Sequence, residues 1–362
     1  MPDRLRIGLV GAGMMGREHL RNLKLFPDVA VTALADPVVT SIDKALQTLG
    51  DTEVEAQVFE GVAPMLEEGE VDAVIVASPN HTHRAVLEPL FRTSLPILCE
   101  KPLCTTLADA RWAAERARAR DAVFWTGMEY RFMPPAARFI EEVRTGRVGK
   151  LVMLSIREHR FPFLRKVGDW NRFSRNTGGT MVEKCCHFFD LMRLIVGAEP
   201  VRVFCSGGMD VNHLDEAYGG ERPDILDNSF TVVDFEDGRR AMLDLCMFAE
   251  GAKTQEEIVA VGSEARLDVR IPDGMVTFSP RVPPGSRKQV QSIQVPVDKA
   301  ALAAGTHHGA TYYQLKAFLE AARGLAPVQV TADDGLRAVA MGLAAEISAR
   351  EKRAVEMAEL GF

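Results

Sequence analysis

The sequence predicts an α/β protein: an amino-terminal doubly wound parallel sheet, followed by an α+β domain with an open, largely antiparallel sheet. Three observations carry this. Short, almost wholly apolar runs alternate with amphipathic stretches through the first third, the pattern of strands buried on both faces with helices between them. Beyond about residue 128 the runs alternate apolar and polar residues around tight-turn dipeptides, as antiparallel hairpins do. A length of 362 residues is too great for one typical domain and suits two.

Taken in order, RIGLVG, VAVTALAD, VDAVIVASP, LPILCEKP and AVFWTG read as buried strands that end in turn or polar residues. MGREHLRNLKLF, HTHRAVLEPLFRT and LADARWAAERARAR read as the helices between them. This sets a dinucleotide-type domain at residues 1–127 and a second domain at 128–362, whose last helices could pack back on the first. In the second domain, FTVVDFEDGRRAMLDLCMF folds about Asp237–Gly238 and EIVAVGSEARLDVR about Gly262–Ser263 as two hairpins, and one long helix is expected over 180–196. The tail supplies two more helices, in TYYQLKAFLEAARGLAPV and ADDGLRAVAMGLAAEISAREKRA. Helices on one face of such a sheet leave the other bare, so a homodimer or homotetramer is expected.

Composition narrows the partners. A formal net charge of −7 argues against a nucleic-acid ligand, which needs a basic surface. The six cysteines show no CxxC spacing, so reduced thiols are expected. No apolar run is long enough to span a membrane, and MPDRLRIGLVGAG enters a strand pattern at once, leaving no room for a signal peptide. A cytoplasmic protein with no membrane partner is the expectation.

The first strand runs into GAGMMG, with Gly11, Gly13 and Gly16 at the G-x-G-x-x-G positions and Met14 and Met15 between them. Such glycines allow a tight turn, close approach to a pyrophosphate, and close helix–strand packing, the Rossmann fingerprint. Asp36 ends the second strand, where an acid bonds a ribose 2′-hydroxyl; no Arg follows closely, which favours NAD over NADP. Lys101 ends a buried strand before Pro102, and an ammonium there can polarise a substrate oxygen or relay its proton. The stretch GGTMVEKCCHFFD sets Glu183 and His187 at i,i+4 with Asp190 beyond. Val182, Cys185, Cys186 and Phe189 fall on the packing side. A metal site would need three or four convergent ligands, and a thiol nucleophile its own activating partner, so neither is expected. An imidazole held by a carboxylate suits a general base. Thr180-x-x-Glu183 also fits a capping box, in which Glu183 would only close its own helix start.

Together GAGMMG, ADP, SPNHTH, EKP, GMEYRF and GGTMVEKCCHFFDLMRLIVG resemble the glucose–fructose oxidoreductase, inositol dehydrogenase and rhizopine catabolism family over essentially the whole chain. The resemblance implies NAD(P)-dependent redox chemistry on the secondary alcohol of a sugar, sugar acid or cyclitol. It implies Lys101 and His187 as catalytic, with Glu183 where the family often has Asp. Ser78, Asn80, His83, Glu100, Lys101 and Trp170 match positions beside the cofactor. Arg131, His308 and Tyr312 match positions near substrate, with Lys101, Glu183 and His187. The basic run that includes Arg157, Arg160, Arg165, Lys166, Arg172 and Arg175 adds Arg160 to the substrate set, as it could meet an anionic sugar. The rival readings are a reductase of a non-sugar carbonyl or imine, and a non-catalytic dinucleotide-binding sensor.

Overall fold

The computed structural model describes residues 4–50 and 54–362. The chain divides into two compact units. The first runs to Glu129 and adds Lys166–Trp170 and Asp298–Val339; the second holds Tyr130–Arg165, Asn171–Val297 and Ala340–Phe362.

In the first unit six parallel strands form one sheet in the order β3-β2-β1-β4-β5-β6. They are β1 Leu5–Val10, β2 Val29–Ala35, β3 Gln57–Phe59, β4 Ala73–Val76, β5 Ile97–Glu100 and β6 Phe124–Gly127. The connecting helices are α1 Met14–Leu23, α2 Val39–Leu49, α3 Val62–Glu68, α4 His83–Leu90 and α5 Leu107–Arg118. All four residues of β4, β5 and β6 are buried, which is why their sequences read as unbroken apolar runs. Each fully buried Leu, Ile or Val contributes about 1.5–3 kcal/mol by leaving water. Because the strands are parallel, the segments after β1, β4 and β5 emerge at one edge, and the strand order reverses beside β1. Ligands of such sheets bind at that edge.

In the second unit nine strands run β14-β13-β12-β11-β7-β10-β9-β8-β15. They are β7 Leu151–His159, β8 Pro200–Gly208, β9 Asn228–Phe235, β10 Arg240–Cys246, β11 Glu256–Gly262, β12 Ala265–Ile271, β13 Met275–Pro280, β14 Gln291–Gln294 and β15 Val355–Glu356. Only β7 and β10 pair in parallel; the two expected hairpins are β9–β10 and β11–β12. The helices of this part are α6 Pro134–Arg144, α7 Ser174–Thr177, α8 Thr180–Glu183 and α9 Cys186–Val196. α6 packs on β12 and β13 and α9 on β7. Side chains largely alternate: Leu154, Ile156, Val203, Val233 and Leu243 are buried, whereas Met153, Phe204, Phe230, Val232 and Met242 are exposed. Phe230 is 63 % exposed, so this face is a broad apolar surface.

Of the last helices, α10 Lys299–Ala304 and α11 Ala310–Ala322 belong to the first unit, and α12 Ala332–Glu351 runs from the first into the second. One sequence expectation changes here, and two elements had none. Strand β3, with two of its three residues exposed, left no apolar run to find. Helix α10 was hidden in an alanine-rich stretch. The expected helix over 180–196 is two helices, broken at Lys184 and Cys185, where both backbone amides turn back to Thr180 O.

Candidate active site

The turn after β1 is built by glycine. Gly11 has φ +96°, and a Cβ there would lie 2.4 Å from Ser78 N; one on Gly16 would lie 2.0 Å from Gly11 O. A Cβ on Gly13 would meet nothing within 4 Å, which leaves its backbone open to a ligand. Met14 and Met15 begin α1, whose first turn holds no acidic residue and whose cap, Gly13, supplies no side-chain bond. Amides left this way favour an anion. Asp36 holds the turn: its Oδ2 accepts from Ala12 N and its Oδ1 from Val38 N, both at 2.8 Å.

The loop after β4 places Ser78 and Asn80 on the same edge. Ser78 Oγ accepts from Thr82 at 2.8 Å. Asn80 is buried and its Nδ2 has no hydrogen-bond partner, a donor suited to a bound nucleotide. His83, expected against the cofactor, is instead a brace. It is fully buried with Nδ1 3.0 Å from Pro102 O and Nε2 3.2 Å from Ser78 O, tying the loops after β4 and β5; burial lowers its pKa. Trp170 packs edge-on against His81, ring centroids 5.8 Å apart, with Lys166 Nζ 4.4 Å from its ring centre.

Lys101 follows β5 with a cis bond to Pro102. Glu100 behind it is buried and doubly bonded, Oε1 to His19 Nε2 at 2.8 Å and Oε2 accepting from Lys101 N at 3.1 Å. Burial alone would raise its pKa, but His19 and Lys101 hold it below the usual range. Gly127 gives this carboxylate room, since a Cβ there would sit 3.1 Å from Glu100 Oε2.

The carboxyl-terminal segment contributes a further cluster to this unit. Tyr312 stacks on Phe26, in the turn leading from α1 to β2, with centroids 4.9 Å apart and planes 13° apart. His308 sits in a turn at φ +52°, just before α11. Its neighbour His307 meets two carboxylates: Nδ1 lies 2.7 Å from Glu18 Oε1 and Nε2 3.8 Å from Glu129 Oε1. Thr311 donates to both carboxylates, at 2.9 Å and 2.6 Å. Burial pushes Glu18 up, but His307 and Thr311 outweigh it and bring it to about 2, whereas burial keeps Glu129 raised. His307 itself is raised: burial lowers it, but Glu129 and Glu18 overcome that. Glu18, Glu129 and His307 were invisible in sequence because they lie on three separate segments with no common motif.

In the second unit, Gly178 and Gly179 have φ +81° and +92°, and a Cβ on Gly179 would lie 2.2 Å from Glu346 Oε1. The capping-box reading fails here. The cap of α8 is Gly179, with no side-chain bond, and Thr180 Oγ1 donates to Leu226 O at 2.5 Å. Glu346 Oε1 instead accepts from Met181 N at 2.9 Å. Burial pushes Glu346 from 4.5 to about 7. A pKa raised by folding gives stability that is full below about 4.5 and lost as pH rises through 7, up to about 3 kcal/mol. Glu346→Gln keeps the acceptor and removes the charge. Its melting temperature is expected to match the parent near pH 5 and exceed it at pH 8; equal curves at both would refute this.

Glu183 and His187 are 3 % and 2 % exposed, and Val182, Cys185, Cys186 and Phe189 are fully buried around them. The imidazole of His187 lies flat on Tyr130, centroids 3.9 Å apart and planes 6° apart. Arg131, expected at substrate, is committed to Asp190: Nε donates to Oδ2 at 2.5 Å and NH2 to Oδ1, a buried bidentate pair. The basic run is likewise paired, in three cases by acids distant in sequence. Arg157 meets Glu257, Arg160 meets Glu158, Arg172 meets Glu216 and Arg175 meets Glu221. The excess that suggested an anionic substrate is thus largely neutralised in the fold.

Two family models match the chain: the oxidoreductase family's NAD-binding Rossmann fold over residues 5–128, and its C-terminal alpha/beta domain over 140–357. The chain is 28 % identical over 358 residues to the rhizopine catabolism protein MocA of Rhizobium meliloti, covering 98 % of each. It is 28 % identical over 361 residues to a myo-inositol 2-dehydrogenase of Thermotoga maritima, covering 98 % of this chain and 99 % of that one. A crystal structure of a probable dehydrogenase from Thermotoga maritima superposes with a TM-score of 0.78 at 27 % identity, over 98 % of this chain and 99 % of that one.

Proposed function

From the premise that the chain belongs to the glucose–fructose oxidoreductase, inositol dehydrogenase and MocA oxidoreductase family, we propose that it oxidises a secondary alcohol of an uncharged cyclitol or sugar with NAD. The observation that carries this reading is within the first unit. The glycine turn, the unpartnered Asn80 amide and Lys101 all emerge at the carboxyl edge of one parallel sheet, where a dinucleotide and a reacting oxygen would be held side by side. The name of the Thermotoga relative points to the substrate class, and the paired arginines favour a neutral polyol.

NAD, when bound, accepts a hydride at its nicotinamide. Gly11, Gly13 and Gly16 with the α1 amides would hold its pyrophosphate, Asp36 its ribose side, and Asn80 a polar edge. His187 takes the alcohol's proton as the C–H bond gives up its electron pair, and the carbonyl forms. Lys101 stabilises the oxygen while charge develops there, and Glu183 orients the imidazole. Orientation of groups in this way supplies effective molarities of about 10⁵–10⁸ M. The test is a panel of myo-inositol, scyllo-inositol, glucose and their anionic analogues, followed by NADH appearance. Turnover confined to neutral polyols supports the reading; turnover of none, with NAD bound, returns the chain to a sensor.

The apolar sheet face around Phe204, Phe230 and Met242 is proposed as the self-association surface of a homodimer or homotetramer. Sedimentation at micromolar protein giving a monomer would overturn that. Six free thiols fit a cytoplasmic setting.

A further inference from the structure

The segment that carries His187 also buries a cation. Lys184, at the break between α8 and α9, is 3 % exposed. Its Nζ donates to the Tyr130 hydroxyl at 2.5 Å and lies 2.9 Å from Glu158 Oε1. Glu158 on β7 is the cross-strand partner of Glu256 on β11, and Arg160 NH1 lies 3.5 Å from the same Glu158 oxygen. Two cations thus face two buried carboxylates. Taking four such groups from water is costly, and an apolar replacement of equal volume is often neutral or better for stability.

Tyr130 connects this cluster to the imidazole. Its ring lies parallel on His187, is bounded edge-on by Phe188 at 5.7 Å, and has the Lys184 ammonium 4.7 Å from its centre. The ammonium therefore does two things. It tethers the phenol oxygen, so that the ring and the imidazole stacked on it keep one orientation. It also sets a positive charge near the imidazole, which disfavours a second one there.

We propose that Lys184 and Tyr130 are a positioning pair for His187, the ammonium fixing the phenol and the phenol holding the imidazole in its neutral, proton-accepting form. The proposal rests on the reading of His187 as the acid–base residue. The charged groups around Lys184 are Glu158, Glu256 and Arg160; those near His187 in sequence are Glu183 and Asp190, the latter paired with Arg131. Burial, then Glu158, pushes Glu256 up to about 8, so its charge offsets Lys184 only above that pH. The influence on His187 is accordingly strongest below pH 8.

The test is NMR of the full-length protein labelled in its histidine side chains, titrated from pH 5 to 9. His187 is assigned by the resonance missing in His187→Gln. The double variant Lys184→Met/Glu158→Gln removes the ammonium without stranding Glu158; with one charge of each sign gone the net field changes little, and the lost tether is expected to shift the His187 tautomer and midpoint. Tyr130→Phe deletes one oxygen, keeps the stack, and is expected to shift them the same way by less. A parental midpoint and tautomer in Tyr130→Phe and in the folded double variant overturns the proposal; if the double variant fails to fold, Tyr130→Phe alone decides. Neither cofactor nor substrate enters the measurement, so a lack of dehydrogenase activity would count against the role of His187 and leave this result standing.

Discussion

Replacing His187 by glutamine is expected to lower kcat by about 10²–10⁴ while NADH still binds. Each tenfold is about 1.4 kcal/mol of barrier, so the loss amounts to about 3–5 kcal/mol. Glutamine keeps a planar polar group against Tyr130, so the packing of the α9 start is disturbed little. What it lacks is a nitrogen that can accept the alcohol's proton near neutral pH. Cofactor affinity should persist, because the glycine turn, Asp36 and Asn80 belong to the first unit and His187 to the second. Lys101→Ala is expected to fall in the same range, since the growing negative charge on oxygen would lose its cation. Steady-state rates with a turned-over polyol and NADH fluorescence titration check both. Near-normal turnover in either variant would sink the assignment. Glu183→Gln should cost less, and because Gly179 rather than Glu183 closes the helix start, a loss there would not be a capping effect.

Much of this was legible in the chain because its signals are local. Parallel strands buried on both faces announce themselves as apolar runs, and the order β1, glycine turn, α1 follows from spacing alone. Asp237–Gly238 and Gly262–Ser263 fix hairpins through turn chemistry. What the sequence hides is a side chain's partner that comes from elsewhere in the chain. The carbonyls that hold His83 come from the loops after β4 and β5, which its own segment does not announce. His307 carries no local signal, since only the fold brings Glu18 and Glu129 to it. The arginine-rich run looked like an anion site because its acids, Glu216, Glu221 and Glu257, lie some 45 to 100 residues downstream. The helix break at Lys184 shows the same limit. Apolar periodicity through 180–196 is continuous, but the lysine must reach Glu158 and Tyr130, which no local pattern records.

Arg131→Met is expected to destabilise the protein by about 3–5 kcal/mol, the cost of leaving a buried charge without its partner. The side chains of Arg131 and Asp190 are only 9 % and 3 % exposed, and the guanidinium meets the carboxylate through two parallel bonds. Bidentate pairing of this kind fixes direction as well as distance, so it pins the segment after β6 to the middle of α9, one turn beyond His187. Removing the guanidinium takes from the buried Asp190 carboxylate its bidentate cation. For a unit of this size each kcal/mol moves the melting temperature by about 2–4 °C, so a drop of about 10 °C is expected in calorimetry. Asp190→Leu alone should be comparably harmful. The double variant Arg131→Met/Asp190→Leu, which leaves no charge behind, should recover much of the loss. That non-additivity separates a structural pair from a substrate ligand. A residue that contacts substrate would raise KM with stability intact, and its loss would not be relieved by changing Asp190. A normal melting temperature in Arg131→Met, with KM raised, would restore Arg131 to the substrate site.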